Sequence, residues 1–154
     1  MSTAIWTLLH LLGVIVWVGG MFFAHVALRP VVAELLQPPQ RLPLLAGVLG
    51  RFFKWVAWSI ALILASGIAL MVQVKAGGGR LGPQIHAMAA VGVVMMIIFF
   101  HIRFGPFKRL LAAVVAQDWP AGGAAMGRVR LLVLVNLVLG IVTVVVALLG
   151  RAWS

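Results

Sequence analysis

The sequence predicts an all-α integral membrane protein, a four-helix up-down-up-down bundle forming one domain over residues 1–154. Three observations carry this. Of the 154 residues, 64% are hydrophobic and only 9% charged, whereas soluble domains are about half apolar and about a quarter charged. Four apolar stretches approach the roughly 20 helical residues needed to cross about 30 Å of hydrocarbon. The segments between them are short and rich in proline, glycine and basic residues, which stop helices and shun lipid.

The first stretch runs from about Ala4 to Leu28 and ends at Arg29-Pro30. It lacks a basic leader and a small-residue cleavage site, so it reads as a retained helix rather than a signal peptide. The second runs from about Trp55 to Val74, between Lys54 and Lys75. The third follows Gly82-Pro83, from about Ile85 to Ile102, and stops before Phe104-Gly-Pro106. The fourth runs from about Leu131 to Leu149 and ends at Gly150-Arg151. Pro38-Pro39 with Pro43, and Trp119-Pro120 with Gly122-Gly123, are expected to break the two longer links. Helices adjacent in sequence should then be antiparallel neighbours, with the first and third parallel and diagonally opposed.

Twelve Lys and Arg face two acidic residues, Glu34 and Asp118. The basic residues sit in gaps between apolar runs, so their anionic partner is the bilayer surface and not a nucleic acid. Nine of the twelve occupy the two longer links: Arg29, Arg41, Arg51 and Lys54, then Arg103, Lys108, Arg109, Arg128 and Arg130. The positive-inside tendency puts those links in the cytoplasm and both termini in the periplasm of a bacterial inner membrane. The absence of cysteine excludes disulfides, zinc fingers, thiolate-held iron–sulfur clusters, cysteine nucleophiles and c-type haem attachment.

All four histidines lie in or at the ends of the first and third stretches. His10 and His25 are 15 residues apart, as are His86 and His101. In a regular helix that spacing is about 22 Å of rise, with the second ring turned about 60° from the first. On parallel helices the pairs His10/His86 and His25/His101 would face one another in opposite leaflets. Two imidazoles can clamp a haem from both faces, so the pattern predicts two b-type haems passing electrons across the membrane. Such an oxidoreductase-like cytochrome would need an electron donor and acceptor, a quinone or a protein, and the residues do not say which. Arg29 and Arg103 stand where propionates would need cations. The residues leave the state of assembly, including a homo-oligomer, open.

The same histidines also suit copper. Met21, Met71, Met88, Met95 and Met96 add thioethers, which with imidazole favour Cu(I). Methionine otherwise fills irregular gaps in apolar packing. Ser66, Gln73, Asn136 and Thr143 are the other polar groups at membrane depth and read as interhelical hydrogen-bond partners. Gly13, Gly19, Gly20 and Gly92 leave room for close packing or a flat cofactor. Trp6, Trp55, Trp58 and Trp153 fall near segment ends, where an aromatic belt is expected.

The run His10-Leu-Leu-Gly-Val-Ile-Val-Trp17-Val-Gly19-Gly20-Met-Phe-Phe-Ala-His25, closed by Leu28-Arg29-Pro30, resembles the bacterial copper-resistance D (CopD-like) membrane family. Arg51-Phe-Phe, Ser66-Gly67, the run from His86 to His101 with Phe104-Gly-Pro106, and Asn136-Leu-Val-Leu-Gly140 extend the likeness along nearly the whole chain. It implies a four-helix inner-membrane unit named for periplasmic copper handling. The first-stretch histidine, tryptophan and glycine are also distantly similar to the HemJ-type protoporphyrinogen oxidases, which would carry over His10 as a haem ligand. The chain departs from that pattern in having no lysine within its third stretch.

Overall fold

The computed structural model describes residues 2–152; Trp153 and the terminal Ser154 lie outside the described residues. Four helical passes follow one another: α1 (Ser2–Leu35), α2 (Pro38–Ala76), α3 (Pro83–Phe104) continued by α4 (Pro106–Val115), and α5 (Trp119–Ala152). No strand occurs among the described residues. Each predicted apolar stretch lies inside one of these helices, and each helix is long and apolar enough to cross a membrane.

The helices run well beyond the stretches that the apolar runs mark. The expected link between the first two passes is reduced to Leu36 and Gln37, which are extended. Pro38 and Pro39 occupy the first turn of α2, where no intrahelical N–H is required, and Pro43 is carried inside the helix. With 39 residues, α2 is about 58 Å long. Its extra turns are helical because they have a buried face: Leu42, Leu45, Ala46, Leu49 and Phe53 recur at three- and four-residue steps. Gly122 likewise breaks nothing. It lies within α5, where an added Cβ would come within 3.0 Å of Leu42 Cδ1, so it lets α5 approach α2.

The breaks that do occur have local causes. Between α3 and α4 the backbone turns at Gly105, where a Cβ would stand 2.8 Å from the His101 carbonyl oxygen. Between α4 and α5, Gln117 takes a left-handed conformation (φ 56°) while the Asp118 N–H donates to Ala113 O. Asp118 Oδ1 then accepts from Ala121 N–H at 3.0 Å and caps α5.

The packing departs from a square bundle. α1 packs along α2, and α5 along α3 and α4, as the short turns require. α5 also lies against α1 and α2, whereas α2 and α3 share no extended backbone contact. Gly140 permits this position: a Cβ there would lie 2.9 Å from Val18 of α1 and 3.2 Å from Met95 of α3. α5 is thus wedged between α1 and α3. Those two meet through side chains, with the Trp17 and Phe99 rings edge-to-face at 6.3 Å. Phe99 continues to Phe53 at 5.7 Å, and Phe53 to Phe107 at 4.9 Å, so one aromatic seam joins α1, α3, α2 and α4. Outward-facing apolar residues such as Leu8, Ile15, Phe22, Trp58, Ile97 and Leu148 are exposed, as a lipid-facing surface requires.

Two turns of α1 are widened. Ile15–Gly19 and Ala24–Leu28 are π-helical, and each such turn takes an extra residue. A residue beyond one is displaced by about 100° from its place on a regular helix. α3 has no such turn. Equal sequence spacing on α1 and α3 therefore does not give equal angular spacing.

Candidate functional site

His10 is half-buried and turned toward α2. Its Nδ1 lies 3.1 Å from Ser66 Oγ. That hydroxyl is 2.5 Å from Leu62 O and 3.2 Å from Ile63 O, both acceptors only. A hydroxyl has one proton, and here it points back to its own helix, so Ser66 Oγ accepts from His10 Nδ1–H. Nε2 is then the nitrogen with the free lone pair, in the tautomer a metal requires. Gly67 lies beside the ring: a Cβ there would be 3.4 Å from His10 Cε1, an ordinary contact distance. One turn further on, Gly13 is buried against Ile63 and Ser59 and holds α1 close to α2.

His86 is exposed, and its Nδ1 lies 3.2 Å from Gly82 O at the start of its own helix. It is not hydrogen-bonded toward His10. His25 sits in the second widened turn of α1, in a small cavity shared with Arg29, Leu49 of α2, and Met126 and Arg130 of α5. His101 lines a different cavity, between the α3–α4 turn and α5, with Arg109 and Arg128. The contacts seen thus join none of the expected pairs. The physical reasons are those above: the widened turns rotate α1 out of phase with α3, and α5 stands between them. Arg103 lies over the Phe107 ring at 5.5 Å, while Arg29 stays beside His25.

Other polar groups at membrane depth behave as the sequence suggests, with one exception. Besides Ser66, Gln73 Oε1 accepts from Thr3 Oγ1 at 2.8 Å across α1 and α2. Asn136 Nδ2 donates to Met95 O at 3.1 Å across α5 and α3. Thr143 instead bonds Leu139 O of its own helix. Asn136 Oδ1 is fully buried with no partner among the described residues. Met21 and Met95 are both buried in the central cluster, 2% and 4% exposed. Among the described residues, no three or more His, Cys, Asp or Glu side chains gather. Of the glycines expected to leave room, Gly13 and Gly20 face side chains of α2, while Gly19 and Gly92 have open space.

Four apolar passes around a buried apolar cluster that includes aromatic rings, Met21 and Met95 define a multi-pass membrane protein. Residues 46–149 match the family model for copper resistance protein D (CopD), and the chain belongs to that family. It matches no curated protein and no solved structure.

Proposed function

We propose that the protein is a copper-handling membrane protein, in which copper is the cargo and His10 the principal donor. The observation that carries this reading is the contact of His10 Nδ1 with Ser66 Oγ, a hydroxyl that points to its own helix; Nδ1–H donating there would leave Nε2 its lone pair. Imidazole with thioether is a donor set that suits Cu(I). Buried Met21 and Met95, with the open Asn136 Oδ1, lie in the centre between His10 and the cavity of His25 and Met126. Donors thus occur at successive depths along the bundle, as passage or storage of a soft cation requires. The chain sits in the bacterial inner membrane with both termini periplasmic, a reading supported by the nine basic residues of one end.

The haem reading of the histidine spacing loses its support once the expected partners lie against different helices and cavities. Competition with a chromophoric Cu(I) chelator tests the proposal on the purified full chain. The parent should bind Cu(I) and remain colourless. His10→Ala should weaken binding by at least about tenfold, Ser66→Ala by less, and His86→Ala should leave it unchanged. A red protein with a Soret band, or Cu(I) binding indifferent to His10→Ala, would refute it.

A further inference from the structure

We infer that the cavity of about 240 Å³ between the α3–α4 turn and α5 holds the phosphate headgroup of an anionic phospholipid. Its lining combines His101, Arg109 and Arg128 with apolar Pro106, Leu131 and Leu132. Arg109 and Arg128 are exposed side chains that border this mostly apolar cavity, and a guanidinium offers a planar fork of donors that matches a phosphodiester. The chain has two acidic side chains, and Asp118 Oδ1 already accepts from Ala121 N–H. The Gly105–Pro106 turn in the same wall ends α3 and starts α4.

Depth distinguishes a lipid from a soluble anion. The cavity lies where the apolar run of α3 ends at Ile102 and that of α5 begins at Leu131, the level of the headgroups. Leu131 and Leu132 then continue the wall toward the hydrocarbon, where an acyl chain would follow its phosphate. Phosphate is the shared chemistry of a lipid headgroup and free phosphate, and this apolar continuation favours the lipid. The inference uses none of the copper donors and stands apart from that reading.

Native mass spectrometry of the full chain in mild detergent, equilibrated with phosphatidylglycerol, phosphatidylcholine or inorganic phosphate, tests it. Phosphatidylglycerol should be retained in preference to phosphatidylcholine. Arg109→Gln and Arg128→Gln should each reduce that retention by about tenfold, the effect of one charge-assisted hydrogen-bonded contact. The double variant Lys75→Gln/Arg80→Gln, at the opposite end of the bundle, should retain the lipid as the parent does. If a glutamine variant fails to fold, Arg109→Lys keeps the charge, loses the fork and should still weaken retention. Equal retention of the two lipids, or no loss in the Arg109 and Arg128 variants, overturns the inference. Inorganic phosphate bound as tightly as phosphatidylglycerol overturns the lipid assignment and gives the cavity to a soluble anion.

Discussion

Replacing Gly13 by alanine should pry α1 from α2 at the point where His10 is seated. A Cβ at Gly13 would stand 2.7 Å from Ile63 Cγ1 and 3.2 Å from Ser59 O. Carbon atoms in contact sit about 3.5–4.0 Å apart, so the helices must separate by about 1 Å unless Ile63 turns away. The Ser59 carbonyl is backbone and cannot turn. Overpacking of this kind costs about 1–3 kcal/mol. Alanine returns up to about 1 kcal/mol through its helix propensity. Gly92, in mid-α3 with nothing within 4 Å of an added Cβ, provides the control, since Gly92→Ala has only the propensity gain. The two variants should therefore differ by about 1–3 kcal/mol, or about 2–12 °C in melting temperature for a chain of this length. Tryptophan fluorescence during thermal unfolding in detergent measures that difference. A separation of about 1 Å also takes the 3.1 Å His10–Ser66 hydrogen bond beyond working range, so Gly13→Ala should weaken Cu(I) binding as Ser66→Ala does. Equal melting of the two alanine variants, with Cu(I) affinity intact, would refute the close-packing argument.

Other perturbations read separate parts of the fold. Phe107→Ala removes a ring only 1% exposed and should cost about 3–5 kcal/mol, whereas Phe100→Ala, on an exposed face, should cost much less; thermal melts compare them. Asn136→Leu loses one hydrogen bond to Met95 O but also removes the unpaired buried Oδ1, so stability should change by less than about 1 kcal/mol. A large loss in that variant would mean that Oδ1 has a partner in the membrane. A reporter enzyme active only in the periplasm, fused after the last residue, should be active; activity of a cytoplasmic reporter there would reverse the orientation.

The membrane passes were legible because hydrocarbon selects continuous apolar runs, and each run lies within a helix. Helix ends were not legible from those runs. The turns from Pro38 to Lys54 carry Arg51 and Lys54 on one side and Leu42, Leu45 and Leu49 on the other, so an average over the window hides the buried face. Ser66 was recognisable as a hydrogen-bond partner, yet its partner depended on which way α1 faced. The two widened turns change which way the residues after Val14 face, and nothing in Ile15-Val-Trp-Val-Gly19 distinguishes a π turn from a regular one. The expected histidine pairing rests on the same premise: a match in number of residues predicts a match in space only while the helix keeps 3.6 residues per turn. The wedge position of α5 follows from Gly140, whose importance shows only once Val18 and Met95 flank it.

The connection between α2 and α3 suggests how the protein is assembled. Most packing joins neighbours in sequence, α1 with α2 and α4 or α3 with α5, and the halves are linked covalently only by Gly77–Gly82. Each half is a helical hairpin able to insert and zip as it leaves the ribosome, with little chain entropy lost to distant closure. Docking then brings Trp17 and Phe53 of the first hairpin onto Phe99 and Phe107 of the second. A protein built this way should tolerate being synthesised as two pieces cut near Gly78, because the halves join by side-chain packing, aromatic at its centre, and the peptide link serves mainly to keep them in the same patch of membrane.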